Sequence, residues 1–167
     1  MTDNTINAIA PHTDPISAVS PDFLQGETAP LIRDFISLYQ SLDKHNLHRL
    51  DDLYHQDAVF TDPLHTIEGR AALKQYFAGM YENLLHIRFD IHRVVADGNQ
   101  ACIEWTMRYA HKRLKGGKEM SVQGMSWLTI EDKITHHRDY FDAGQMLYEQ
   151  LPLMGGAIRM LKNRMSV

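Results

Sequence analysis

The chain has 167 residues, 17 of them basic and 21 acidic, for a formal charge of −4. That suits one domain able to bury roughly two-thirds of its unfolded surface and to enclose a pocket, and it excludes a basic nucleic-acid surface. Its one cysteine, Cys102, excludes an internal disulfide, no Cys/His spacing suits zinc, and no apolar run reaches the ~18 residues of a membrane span, so a cytoplasmic protein without metal or cofactor is expected.

Residues 1–28 are rich in Thr, Asn, Asp, Ser and Pro and offer little core to bury, so they read as a mobile arm ahead of a single domain over 29–167. From Pro30 the apolar residues Leu31, Phe35, Leu38, Tyr39 and Leu42 fall at helical spacing, and after His45-Asn46 the residues Leu47, Leu50, Leu53 and Tyr54 repeat it. Two helices are predicted there. The stretch AVFTDP, 58–63, predicts a short strand closed by Asp-Pro, and 67–84 a third helix with Leu73, Tyr76, Phe77 and Met80 on one face.

After Asn83 the period switches to two. Strands are predicted over 86–95, 101–113, 120–130 and 134–142, joined by ADGNQ, LKGGKE and EDK, each of which carries turn chemistry. The tail, 143–165, reads as helical with a break at Pro152 or at Gly155-Gly156. Helices followed by strands make an α+β fold, one curved antiparallel sheet with helices packed on its concave face.

That order resembles the nuclear transport factor 2-like superfamily, which implies a cone enclosing one apolar pocket, over residues 30 to about 150. AVFTDPLHTIEGRAAL resembles the strand, turn and helix entry of ketosteroid isomerase and of SnoaL-like polyketide cyclases, which places Asp62 on the isomerase's general-base aspartate. ITHHRDYFDAGQMLYEQLPL resembles the last strand and tail of limonene-1,2-epoxide hydrolase, which places Asp139 on that enzyme's catalytic carboxylate. The chain departs from both families. Trp105 and Met107 stand where the hydrolase has its arginine and second aspartate, and Phe60 and Asp62 where it has its water-holding tyrosine and asparagine. Leu38 stands where the isomerase has its tyrosine donor, and Ser126 falls near its protonated acid.

If Asp139 faces inward, strand parity brings Thr135, His137 and Phe141 with it, and Ile103, Trp105 and Met107 line the neighbouring strand. The expected site is therefore Asp139 and Asp62 as proton carriers with His137 assisting. Tyr39, Phe60, Ile103, Trp105, Met107 and Phe141 form the wall around a small hydrophobic molecule. Each has a plainer alternative. Asp139 could pair with Arg138 or Arg159, Asp62 could cap a turn, and His137 could bond a backbone carbonyl. His48, Asp52 and His55, at i, i+4 and i+7 of a helix, could share a face as metal ligands, but they fall on its wet side and a solvated surface explains them.

Two functions stand side by side on this reading. One is cofactor-independent acid/base catalysis of isomerase, cyclase or hydrolase type. The other is a non-catalytic ligand-binding or dimerisation module of the same fold. A homodimer is expected through the outward sheet face carrying Glu104, Arg108, His136 and Arg138, with no nucleic-acid or membrane partner.

Overall fold

The computed structural model describes residues 26–146, together with Met160 and Arg164. Most of the N-terminal arm and the helical tail with its break lie outside the described residues. Helix α1, Ala29–Ser41, starts with Pro30 in its first turn, where a missing N–H costs nothing, and buries Ile32, Phe35, Ile36, Leu38 and Tyr39. A 3₁₀ turn at Leu47–Arg49 leads into one α-turn, α2, Leu50–Leu53.

The predicted second helix ends there, and Tyr54 opens strand β1, Tyr54–Thr61, which is longer than the expected 58–63. The cause is non-local. β1 pairs in parallel with β6, Ile134–Phe141, some 80 residues away, and the Arg70 guanidinium donates to the Tyr54 carbonyl at 2.8 Å while its Nε meets Asp51 at 2.8 Å. Local periodicity cannot report a partner at that distance. His48, Asp52 and His55 consequently fall on three different elements and not on one helical face. Among the described residues no group of three His, Cys, Asp or Glu side chains is arranged to hold a metal ion.

Asp62 follows β1 in a turn, and Thr66–Glu68 forms a short strand, β2, where the sequence predicted the start of a helix. Gly69 then turns the chain at φ +86°, its N–H donating to the Ala58 carbonyl, so α3 begins only at Arg70 and runs to Asn83. Leu73, Phe77 and Tyr81 form its buried stripe.

The four expected strands follow as β3 Leu84–Asp97, β4 Gln100–His111, β5 Met120–Ile130 and β6, each antiparallel to the next. The sheet order is β2-β1-β6-β5-β4-β3, a six-stranded sheet whose inner face carries α1 and α3. A short helix, α4, Ala143–Met146, follows β6. No helix among the described residues is long and apolar enough to cross a membrane.

Alternation sorts the strands as expected. Ile103, Trp105, Met107 and Tyr109 of β4 are buried, as are Val122, Ser126 and Leu128 of β5, while Glu104, Gln123, His136 and Arg138 are exposed. Gly124 lies directly opposite Trp105 in the β4–β5 register. A methyl group on it would come within 2.7 Å of Trp105 Cζ2 and of the Tyr140 carbonyl oxygen, so its hydrogen is what lets the indole approach β5 this closely.

Candidate functional site

The inward parity of β6 carries His137, Asp139 and Phe141 to the concave face, and Arg138 to the opposite one, where it lies 5.0 Å from the centre of the Tyr140 ring. The Asp139–Arg138 pair left open above does not form. His137 is fully buried, and its Nε2 lies 2.8 Å from Asp139 Oδ1. A carboxylate oxygen only accepts, so Nε2 is the donor in that contact, and Nδ1 is the nitrogen turned to the Tyr54 hydroxyl. The Tyr54 hydroxyl donates to Nδ1 at 2.7 Å and accepts from the Tyr39 hydroxyl at 2.6 Å. On the other side, Ser126 Oγ donates to the same Asp139 Oδ1 at 2.6 Å and accepts from Trp105 Nε1 at 2.9 Å.

One uninterrupted chain therefore runs Tyr39, Tyr54, His137, Asp139, Ser126, Trp105, drawn from α1, β1, β6, β5 and β4. Every donor in it has one acceptor. Phe60, beside His137 in the β1–β6 register, meets its imidazole edge-on at 4.9 Å, and Phe35 does so at 5.4 Å, which holds the ring in place. Burial pushes the Tyr39 phenol well above the ordinary tyrosine value, aided by Tyr54 and by the charge on Asp139. Burial does the same to Tyr54, against the lowering effect of the hydrogen bond it accepts.

The two aspartates differ in what they have left to give. Asp139 Oδ1 takes both donors, and Oδ2 accepts no hydrogen bond among the described residues. Asp62 is used on both oxygens. Its Oδ1 accepts the backbone N–H groups of Leu64 and His65, each at 2.7 Å, and its Oδ2 accepts the Tyr76 hydroxyl at 2.6 Å. The first two bonds are the local capping that Asp before Pro predicts. Burial, then the hydrogen bond to Asp62 and its charge, raise the Tyr76 phenol.

Both carboxylates line one small cavity of ≈ 50 Å³, room for about four waters. Tyr39, Phe60, Trp105, Met107 and Phe141 line it as expected, together with Tyr76, Phe77, Tyr81 and Phe89 from α3 and β3. Ile103 does not. It is completely buried beneath the cavity wall, opposite Ser126, so parity alone placed it on the right face but too far along β4. A larger chamber of ≈ 500 Å³ adjoins the inner cavity and shares Tyr76, Met80, Ile87, Met107 and Met146 with it. Leu64, Leu84 and Leu114 make this outer chamber apolar, with His65, His111 and Asn83 among its polar groups.

Sequence reasoning missed Tyr54, Ser126 and Tyr76. Ser126 was accessible in principle, because a serine on the buried parity of an apolar strand needs a partner. Tyr54 and Tyr76 carry a helical apolar pattern, and only the tertiary pairing of β1 and the placement of α3 bring their hydroxyls to His137 and Asp62.

No curated protein matches the chain by sequence. Solved structures share its fold. A protein with a ketosteroid isomerase-like fold from Catenulispora acidiphila, in complex with trimethylamine, superposes with a TM-score of 0.62 at 17% identity, covering 72% of this chain and 90% of its own. A nuclear transport factor 2-like protein from Burkholderia pseudomallei gives 0.65 at 13% identity, with 74% and 96% covered. A protein from Shewanella putrefaciens described as a SnoaL-like polyketide cyclase gives 0.62 at 17%, with 74% and 97% covered. The profile of the SnoaL-like domain matches residues 35–137, from the α1 aromatic that packs on His137 to His137 itself, and the chain belongs to that family.

Proposed function

We propose that the protein binds a small hydrophobic molecule in the paired chambers and performs cofactor-independent proton transfer on it with Asp139 as the general base. One observation carries this reading: Asp139 lines an apolar cavity with Oδ1 fixed by Ser126 and His137, while Oδ2 accepts no hydrogen bond among the described residues. A carboxylate oriented through one oxygen, with the other turned to a substrate, is what abstraction of a carbon-bound proton requires. His137 orients it, the outer chamber holds the substrate body, and Asp62 supplies a second negative charge. The complex of the Catenulispora relative with trimethylamine, and the description of the Shewanella relative as a cyclase, support small-molecule work on this fold.

The test is α-proton exchange. A panel of small hydrophobic ketones is incubated in deuterated buffer with the protein and followed by NMR, with binding measured separately by native mass spectrometry. Asp139→Asn is expected to retain binding and lose about 100-fold or more of the exchange rate. An unchanged rate removes the base from Asp139.

A second reading has its own support. Tyr39, Tyr76 and Trp105 have already committed their donor hydrogens to Tyr54, Asp62 and Ser126, so none of these three is left to stabilise a substrate oxyanion. A module that binds without reacting needs no such donor. In either case a homodimer through the outward sheet face is part of the proposal, because that face exposes Val95, Trp127 and Tyr140 among charged groups such as Arg93, Glu104 and Arg138. Sedimentation of Trp127→Glu against the parent chain tests it, and an unshifted dimer places the contact elsewhere.

A further inference from the structure

The inner cavity is lined by aromatic rings and by two carboxylates, and no Lys, Arg or His side chain joins them in its wall among the described residues. Phe60, Tyr76 and Phe77 stand at mutual centroid distances of 5.7–5.8 Å with interplanar angles of 39–59°, forming a three-sided aromatic corner. The Tyr76 hydroxyl donates to Asp62 from that corner, and Asp62 is almost completely enclosed, its side chain only 6% exposed. Aromatic faces carry negative potential, and a carboxylate inside a low-dielectric wall adds to it.

We infer that this corner seats an alkylated ammonium group, so that the ligand is a small amphipathic amine with a cationic, carbon-clad head in the inner cavity and an apolar body in the outer chamber. The inference rests on the reading that the chambers take a small hydrophobic molecule, and it names the class. Hydrogen-bond supply decides in favour of an alkylated head over a primary ammonium. Asp62 already accepts three hydrogen bonds, from the Leu64 and His65 N–H groups and from Tyr76. It has charge to offer and little acceptor capacity, while an ammonium whose hydrogens are replaced by methyl groups asks for charge and aromatic surface and for no acceptor. Size agrees, since space for about four waters fits a four- or five-atom head.

Trp105 lines the inner cavity and reports occupancy by fluorescence, and Trp127→Phe removes the outer-face background. In the full chain at about pH 8, above the ordinary histidine range, benzyltrimethylammonium is titrated against neopentylbenzene, which has the same shape with carbon in place of nitrogen. The cation is expected to bind about tenfold tighter or more. Asp62→Asn keeps an oxygen for the Leu64 and His65 N–H groups and removes the charge, while its amide nitrogen replaces the acceptor of the Tyr76 hydroxyl, which must turn to accept instead. It should weaken the cation about tenfold while moving the neutral compound less than about twofold. The wild-type ratio needs no variant and stands whether or not the variant folds. Equal binding, or tighter binding of the neutral compound, overturns the inference and leaves the hydrophobic-ligand reading intact. A preference for the cation that survives Asp62→Asn refutes Asp62 as its source. Failure of both compounds to bind sinks the inference and that reading together.

Discussion

Tyr54→Phe removes one oxygen from the middle of the buried chain, and its cost can be worked from the distances. The hydroxyl makes two hydrogen bonds, to Tyr39 at 2.6 Å and to His137 Nδ1 at 2.7 Å, and both Tyr54 and His137 are completely buried. Two neutral bonds are worth about 1 kcal/mol each, and leaving the imidazole nitrogen without a donor adds a penalty of about 1–3 kcal/mol. Part of that penalty can be recovered, because the Tyr39 hydroxyl already lies 3.5 Å from Nδ1. Closing the gap by about 0.7 Å restores an ordinary bond. The expected loss is therefore about 2–3 kcal/mol. Tyr39→Phe, by contrast, removes one bond and leaves Tyr54 donating to Nδ1, for about 1 kcal/mol. The double variant loses both bonds and has no Tyr39 hydroxyl left to recover Nδ1, so it should cost about 3–5 kcal/mol, at or above the sum of the two. Urea unfolding followed by far-UV circular dichroism measures all three. A Tyr39→Phe loss equal to or larger than that of Tyr54→Phe, or a double-variant loss about 1 kcal/mol or more below the sum, would refute the order in which the chain is wired.

Ser126→Ala strips Asp139 Oδ1 of one donor and leaves the buried Trp105 N–H without an acceptor, so a loss of about 1–3 kcal/mol in the same assay is expected. A loss under about 0.5 kcal/mol would mean that the indole finds another partner. Gly124→Ala drives a methyl group into Trp105, and about 1–3 kcal/mol of overpacking with a shifted Trp105 emission is predicted; wild-type stability and emission would show that the indole moves freely. Alkali should separate the tyrosines. Burial raises Tyr39, Tyr54, Tyr76 and Tyr81, and pushes Tyr109 up to about 12. These five phenols should stay protonated near pH 11 in the folded chain and ionise on unfolding, which absorbance at about 295 nm detects. Their folded values lie above the unfolded one, so the stability linked to them is whole below about pH 10 and drains away as pH rises through the folded values. Native absorbance equal to that in urea would contradict their burial.

The strands were legible because a sheet with one wet face writes a period of two into the sequence, and β6 carries that signal even through His136, His137, Arg138 and Asp139. Parity then placed His137, Asp139 and Phe141 on one side without knowledge of any partner strand. Two kinds of information were missing from it. Periodicity cannot distinguish a one-turn helix running into a strand from a longer helix, so Tyr54 kept a helical assignment until its pairing with Ile134 fixed it. Nor does parity say how far along a strand the cavity extends, which is why Ile103 shares a face with Trp105 and yet lies under the wall.

The two aspartates illustrate how environment divides labour between identical side chains. Asp62 is held by bonds that arise within three residues of its own turn, plus one phenol, and any Asp-Pro turn of this shape would satisfy most of them. Asp139 is held by groups from four separate elements beyond its own, aligned so that only Oδ1 is used. For stability alone such a chain is a poor choice, since an apolar set of the same volume would pack there without the desolvation of two phenols, an imidazole and a carboxylate. Its effect is orientation. A polar chain that is completely satisfied among the described residues except at one oxygen departs from the rule that buried acceptors are used, and it does so at the residue of the chain whose carboxylate lines the cavity. Asp139 is thereby the carboxylate with an oxygen left to use, while Asp62 contributes charge to a wall it helps to fold.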